Sequence, residues 1–388
     1  MKYTLSDNTW DNKEYDALQS VIESGFFSMG QKVQEFEKEF AKKFNTKYAI
    51  MSNSGSSANL LAIASLVYSK RLQSGDEVIV PAVSWSTTYF PLAQFGLKLK
   101  FVDIDLATLN IDVSKLEKAI TDKTKAIFAV NLLGNPNEFD KVLNICDEHN
   151  LVLIEDNCES MGASYNGKQL GTLGLLGTFS TFYSHHICTM EGGVTVTDDQ
   201  DLYHYMLSIR SHGWTRHLPK NSKIYEKKED DFYESFNFIM PGYNLRPIEM
   251  EGALGIEQLK KLDVIIDQRR KNAEYFINNI KEIKGYQTQF EVGKSSWFGF
   301  AIILIDGNMG KRKELLKLLE KKGIDVRPIV AGNFTRNKAI EYLDHEIFEE
   351  LKNADYIHDH GFFVGNHSKA NYDKVDLLIE LLKDFNAF

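Results

Sequence analysis

The chain has 388 residues, of which 43% are hydrophobic and 26% charged, and its formal net charge is −9 at pH 7. This length exceeds what one small core needs and fits a large domain followed by a smaller one. The acidic balance gives no general electrostatic reason to bind nucleic acid or an anionic membrane. Neither an apolar signal core nor a run of roughly 18 apolar residues occurs, so we expect a cytoplasmic protein.

The predicted strands are short apolar runs that alternate with helix-like stretches. Their β-branched and aromatic composition predicts strands at 48–51, 77–80, 99–102, 126–131, 151–155 and 178–182. The predicted helices between them are 58–72, 114–120 and 137–149. This alternation is typical of βαβ units, so we expect a mostly parallel sheet with helices on both faces and ligands at the carboxyl ends of its strands.

The pattern changes at Arg246, where one long helical stretch begins and continues to Lys281. Beyond it we expect a smaller α+β domain, with a strand near 297–304 and a helix near 311–321. The sequence therefore predicts a large domain at 1–260, including an N-terminal helical segment. It predicts a linking helix and a small C-terminal domain at 261–388.

Three places at predicted strand ends carry residues suited to ligand chemistry. The turn SNSGSS at 52–57 opens a helix, and backbone N–H groups with serine hydroxyls can cradle a phosphate, although small residues also cap helices. Trp85 can lie flat on a planar ligand, although an isolated tryptophan is more often core. Asp156 can keep a pyridine nitrogen protonated, which makes the ring an electron sink, or it can be a helix N-cap.

Together with Ser180, these features resemble the DegT/DnrJ/EryC1 sugar aminotransferases, a family of pyridoxal 5′-phosphate (PLP) enzymes. The resemblance covers essentially the whole chain and includes RSHG at 210–213, GYNLR at 242–246 and GIDVRP at 323–328. It implies an α/β, aspartate aminotransferase-like fold (PLP-dependent transferase fold type I). Such a fold has a large, mostly parallel sheet domain and a smaller C-terminal α+β domain.

The resemblance also implies a role for each matching residue. It implies that Gly55, Ser56 and Ser180 bind the cofactor phosphate and that Trp85 stacks on the ring. It also implies that Asp156 pairs with the pyridinium nitrogen and that Glu159 lies near the O3′ edge of the ring. Asn244 would reach the phosphate of the partner subunit's cofactor, which implies a homodimer with shared active sites. Arg327 is a candidate to bind a glutamate carboxylate or a nucleotide phosphate, or it makes a structural ion pair.

The chain departs from the family where the Schiff-base lysine should stand, five residues after the serine. Counted from Ser180, that position is His185, and no lysine occurs between Lys168 and Lys220. Because imidazole forms no stable Schiff base, PLP and its amine form (PMP) must bind non-covalently. His185 can still act as a base near neutral pH. His186 matches a residue found beside the lysine in aminotransferases, so we expect it to be structural.

The histidine and motifs such as DNTWD at 7–11 and GFFVGNH at 361–367 are similar to a dehydratase branch of the family. This implies that the C3 hydroxyl of a GDP-4-keto-6-deoxy sugar is removed, with L-glutamate regenerating PMP and ammonia released. The implied substrate is GDP-4-keto-6-deoxy-D-mannose or a 6-deoxyheptose analogue.

Other functions remain as alternatives. A nucleotide-sugar aminotransferase, or an inactive homologue of one, would share the fold, but the missing lysine argues against amino transfer. A related dehydratase carries an iron–sulfur cluster and works with a reductase. The cysteines Cys146, Cys158 and Cys188 are too few for four thiolate ligands, so we expect buried reduced thiols, no metal and no such partner. A PLP-binding regulator would need a further module that this length leaves no room for.

Overall fold

The computed structural model describes residues 2–386. Its helices are α1 (Asn12–Ser24), α2 (Gln31–Phe44), α3 (Gly55–Tyr68), α4 (Ser86–Gln94), α5 (Val113–Ala119), α6 (Phe139–His149), α7 (Gln200–Ile209), α8 (Asp231–Glu234), α9 (Glu249–Ile280), α10 (Arg312–Lys321), α11 (Lys352–His360) and α12 (Tyr372–Asn386). Its strands are β1 (Tyr48–Ser52), β2 (Glu77–Pro81), β3 (Lys98–Val102), β4 (Thr124–Val130), β5 (Val152–Asp156), β6 (Ser164–Tyr165), β7 (Lys168–Gln169), β8 (Leu176–Ser180), β9 (Gly193–Thr197), β10 (Tyr286–Gln287), β11 (Gly299–Leu304), β12 (Val326–Arg327), β13 (His345–Ile347) and β14 (Gly361–Gly365).

The large sheet has eight strands in the order β1-β9-β8-β5-β4-β2-β3-β13. Its neighbouring strands pair in parallel except at β9, which runs antiparallel to β1 and to β8. Helices α3, α4 and α7 cover one face, and α2, α5, α6 and the first half of α9 cover the other. The predicted mostly parallel, doubly covered sheet is confirmed. None of the helices within residues 2–386 is both long and apolar enough to cross a membrane.

The second sheet has four antiparallel strands in the order β10-β11-β14-β12. Its core is formed with the second half of α9 and with α10 and α12. Tyr3 from the chain's beginning is fully buried in this core, and its hydroxyl donates to the Gly365 carbonyl at 2.7 Å. The N-terminal segment therefore belongs to the same packing unit as the C-terminal residues.

A segment from the C-terminal part also joins the large sheet, where β13 pairs in parallel with β3. Ion pairs secure this edge: the Lys98 ammonium lies 2.6 Å and the buried Lys100 ammonium 3.5 Å from the Glu346 carboxylate. Helix α9 runs without interruption across the predicted boundary at residues 260–261. The position of that boundary stays a prediction.

Two glycines at the start of β9 allow a close approach between this strand and the turn that begins α3. A methyl group at Gly193 would lie 2.2 Å from the Ser54 carbonyl oxygen and 2.7 Å from the Gly55 nitrogen. At Gly192, φ is +149° and a methyl would lie 2.4 Å from the Thr181 hydroxyl. Backbone atoms cannot yield as a flexible side chain can, so glycine at 193 fixes the position of the α3 turn.

We therefore expect Gly193→Ala to lower the free energy of unfolding by about 1–3 kcal/mol, the usual cost of overfilling a packed interior. Urea denaturation, compared with the parent protein, measures this change. Gly307→Ala is the matched control, because a methyl there meets no atom of residues 2–386 within 4 Å. Equal stabilities for the two variants would show that β9 does not constrain the turn.

Candidate active site

A cavity of about 790 Å³ lies where the carboxyl ends of the large sheet's parallel strands face the second sheet. The side of the large sheet contributes the segments that follow β1, β2, β4, β5 and β8, as expected for a parallel sheet. Every site residue predicted from the sequence except Asn244 lines this cavity: Gly55, Ser56, Trp85, Asp156, Glu159, Ser180, His185 and Arg327.

The turn after β1 forms one wall of the cavity. The Ser54 hydroxyl caps α3 by accepting a hydrogen bond from the Ser57 N–H at 3.1 Å. A methyl at Gly55 would lie 2.7 Å from Cβ of Ser180, so only glycine lets the turn reach that residue. The N-terminus of α3 and the hydroxyls of Ser56 and Ser180 therefore face the same space, an arrangement that suits a phosphate.

Asp156 ends β5 and is 5% exposed. One carboxylate oxygen accepts from the Asn59 amide at 2.9 Å and from the Thr88 hydroxyl at 2.8 Å, and the other accepts from the Cys158 N–H at 3.1 Å. Three donors suit an ionised carboxylate, which can only accept hydrogen bonds. The side chain is therefore fixed at the cavity wall and is not the cap of a helix.

Trp85 follows β2 and directly precedes α4. It is 59% exposed although it is one of the largest apolar side chains. An exposed indole at a cavity offers a flat surface for a planar ligand. The alternative that Trp85 is a core residue is wrong.

Glu159 is half-buried, and its carboxylate accepts from the Leu133 N–H at 3.0 Å. Loss of solvent and, to a smaller extent, the nearby Asp156 charge raise the pKa of Glu159 to about 7, although the hydrogen bond from Leu133 lowers it. Near neutral pH this carboxyl group can therefore donate or accept a proton.

His185 lies on the loop between β8 and β9, with its imidazole between two aromatic rings. The ring centroids are 5.8 Å from Phe182 and 5.1 Å from Phe298. Its Nδ1 atom is buried without a hydrogen-bond partner within residues 2–386. Burial and, secondly, the charge of Arg269 lower the pKa of His185 to about 3. At neutral pH the imidazole of His185 is therefore unprotonated.

His186 points away from this cavity. It is fully buried, does not line the cavity, and its Nε2 atom lies 3.3 Å from the Ser296 carbonyl oxygen. These surroundings agree with the expected structural role.

Arg327 is exposed at the cavity wall, on the side of the second sheet. Its guanidinium donates to the Val326 carbonyl at 3.0 Å and has no carboxylate within 4.0 Å among the described residues. The structural ion pair considered as an alternative is absent there, so the side chain can bind an anion.

Asn244 lies on the surface outside this cavity. Its side-chain oxygen accepts from Arg246 Nε at 2.9 Å, and the neighbouring Leu245 carbonyl accepts from the Asn53 N–H at 3.0 Å. Asn244 therefore lies next to the turn that follows β1 in its own chain, but it does not line the cavity. Its predicted contact with a partner subunit's cofactor stays a prediction.

Several residues of the site were not identified from the sequence. Asn59 and Thr88 hold Asp156, yet each lies in the first turns of a helix, where polar residues are common. The one available signal was an asparagine directly before the apolar run of α3. Tyr183, Phe298 and the N-terminal segment at 4–6 also line the cavity, and only the folded chain brings them there.

The cavity residues fit a vitamin B6 cofactor on three independent counts. The glycine-dependent contact of the α3 turn with Ser180 suits a phosphate, the fixed Asp156 carboxylate suits a protonated ring nitrogen, and exposed Trp85 suits a planar ring. No lysine of the part of the chain that the structure describes lines the cavity, so these groups must hold such a cofactor without a covalent bond.

The chain is similar to known proteins over nearly its whole length. A GDP-4-keto-6-deoxy-D-mannose 3-dehydratase from Escherichia coli O55:H7 is 55% identical over 387 residues, which cover 99% of this chain and 100% of the relative. A protein of the same name from Yersinia pseudotuberculosis is 54% identical over 387 residues, with coverages of 99% and 98%. A solved GDP-4-keto-6-deoxymannose-3-dehydratase with a trapped PLP-glutamate geminal diamine is 55% identical. Its TM-score is 0.96, and the match covers 98% of this chain and 100% of that one.

The predicted fold class, a PLP-dependent transferase of fold type I, is confirmed by this structural likeness. The model of the DegT/DnrJ/EryC1/StrS aminotransferase family matches residues 8–383. The chain belongs to the DegT/DnrJ/EryC1/StrS aminotransferase family.

Proposed function

We propose that the chain is a PLP- and PMP-dependent 3-dehydratase that removes the C3 hydroxyl of GDP-4-keto-6-deoxy-D-mannose, with L-glutamate as the amine donor. The observation that carries this proposal is that His185 stands at the lysine position, in a cavity whose other residues suit the cofactor. The names of the two relatives support the sugar substrate, and the ligand of the solved structure supports PLP and glutamate.

The proposed cofactor contacts use residues that the cavity brings together. Gly55, Ser56 and Ser180 would bind the phosphate, and Trp85 would stack on the ring face. Asp156 would pair with the ring nitrogen, and Glu159 would lie near the O3′ edge. When bound, the cofactor supplies an amine that condenses with the 4-keto group and a ring that accepts the electrons set free in the elimination. Asp156 would hold the proton on the ring nitrogen.

His185 is the proposed base. As a neutral imidazole it can take a proton from the carbon that joins the cofactor ring to its amine, and it can return a proton to the departing C3 hydroxyl. It lacks the amine with which a lysine would hold the cofactor covalently. In the net reaction the sugar loses its C3 oxygen, glutamate becomes 2-oxoglutarate, and ammonia is released.

We also propose a homodimer in which Asn244 completes the site of the partner subunit. An exposed asparagine that lies outside its own cavity supports a contact made by another chain. A two-fold axis would make that contact reciprocal.

Borohydride treatment tests non-covalent binding. We expect the PLP-loaded protein to keep the mass of the unmodified chain after reduction and denaturation, because none of the described cavity-lining residues is a lysine. His185→Lys should gain the mass of reduced PLP under the same conditions. A reduced adduct on a cavity-facing lysine of the parent protein would contradict the assignment.

His185→Asn tests the proposed base. We expect sugar dehydration and PMP formation from glutamate each to fall roughly 10²–10⁴-fold, the usual cost of losing an acid–base catalyst. Mass spectrometry of the nucleotide sugar and cofactor absorbance measure the two rates. His149→Asn, at the exposed end of α6, is the matched control. Near-parental rates in His185→Asn would overturn the mechanism.

Mixing two defective variants tests the shared site. In heterodimers of Asn244→Ala with His185→Asn, we expect one site to carry both substitutions and the other to carry neither, so activity should recover in the mixture. The readout is dehydration rate against mixing ratio. If the mixture shows only the average of the two homodimers, Asn244 does not act across the interface.

A further inference from the structure

Arg269 on α9 is a buried guanidinium without a close carboxylate. It is 2% exposed, and within residues 2–386 it makes no ion pair and its Nε atom has no partner. The nearby carboxylate of Asp7 is occupied by the Ser368 N–H and hydroxyl, at 2.8 and 2.6 Å. The charge of Asp7 compensates the buried guanidinium only in part, because burial still lowers the pKa of Arg269. A buried charge with so little compensation is costly for folding, so its presence calls for a functional reason.

Arg269 is connected to the imidazole of His185 through the segment before β11. Its Nη1 atom donates to the Phe298 carbonyl at 3.0 Å, and the Phe298 ring contacts both His185 and His186. The preceding Trp297 has a φ of +49°, which bulky residues rarely adopt. Such a backbone persists only when its surroundings hold it, and the guanidinium is part of them.

The charge of Arg269 also acts directly on the two imidazoles. After burial, it is the next cause that lowers the pKa of His185 and of His186. Burial lowers the pKa of Arg269 itself to about 10, which leaves it charged at neutral pH. The other titratable groups around His185 are His186 on its own segment and, on the cavity walls, Asp156, Cys158, Glu159, Tyr183, Glu191, Asp325 and Arg327.

Burial favours the neutral form of the imidazole, and the positive charge of Arg269 favours it as well. We propose that Arg269 is a positioning residue for His185: it fixes the Phe298 backbone against the imidazole and places a positive charge that keeps the imidazole unprotonated. This inference rests on the proposed role of His185 as the base.

The test compares Arg269→Gln, which removes the charge but keeps hydrogen-bond donors, with Arg269→Lys, which keeps the charge. The full-length protein is labelled with ¹⁵N-histidine, and NMR follows the titration of His185, assigned by the loss of its signal in His185→Asn. We expect the His185 midpoint to move upward in Arg269→Gln and to stay near the parental value in Arg269→Lys.

The same titration supplies the outcomes that would overturn the inference. An unchanged midpoint in Arg269→Gln would do so, and so would a parental midpoint at or above about 6.5, the ordinary value for histidine. If Arg269→Gln does not fold, Arg269→Met carries the same test, because replacing a buried charge by an apolar residue is often tolerated.

The rate of sugar dehydration, measured on the same samples, separates this inference from the proposed function. If the parent protein dehydrates the sugar but the His185 titration midpoint is the same in Arg269→Gln, the positioning role alone is refuted. A parent protein that shows the expected titration but no dehydration refutes the proposed function alone.

Discussion

The hydrogen-bonded carboxylate of Asp156 is the interaction on which the rest of the active site depends. It ends β5 and accepts from Asn59 on α3 and from Thr88 on α4. Asn59 in turn accepts from the Thr178 hydroxyl on β8 at 2.6 Å. One buried network therefore joins two strands and two helices whose ends form the cavity. Because a buried charge must keep its partners, the strand ends cannot shift relative to one another without a large cost.

The loop between β8 and β9, which carries His185, determines the reaction. The chain keeps the residues that suit the cofactor's phosphate, ring and nitrogen, and it differs from the aminotransferases at His185. Two aromatic rings lie next to this imidazole, and within residues 2–386 its Nδ1 atom has no hydrogen-bond partner. The result is a proton acceptor that cannot anchor the cofactor. A change from amino transfer to elimination thus needs little change of the fold.

The sequence predicted most of the sheet and most of the cavity because both depend on local patterns. Apolar runs indicated six strands of the large sheet, and the spacing from Ser180 identified His185. Strand β9 was missed, although its alternation of valine and threonine is typical of a strand. The predicted strands were found as apolar runs, and threonine interrupts such a run in β9.

Contacts between distant segments were beyond the reach of such patterns. Tyr3 enters the core of the second sheet, and β13 extends the large sheet from the C-terminal part. The local sequence around Tyr3 does not specify that it packs in the second sheet, and that of β13 does not specify that it pairs with β3. The donors to Asp156 were missed for the same reason: Thr88 is separated from it by 68 positions. The position of Asn244 outside its own cavity likewise emerged only from the folded chain.

The fate of the amine nitrogen tests the central claim most directly. The purified protein would be supplied with PLP, ¹⁵N-labelled glutamate and GDP-4-keto-6-deoxy-D-mannose, and both ammonium and nucleotide sugar would be analysed by mass spectrometry. The account predicts that the label appears as free ammonium and that the sugar loses one oxygen atom without gaining nitrogen. A nucleotide sugar that carries the label and keeps its C3 hydroxyl would contradict it and identify the chain as an aminotransferase.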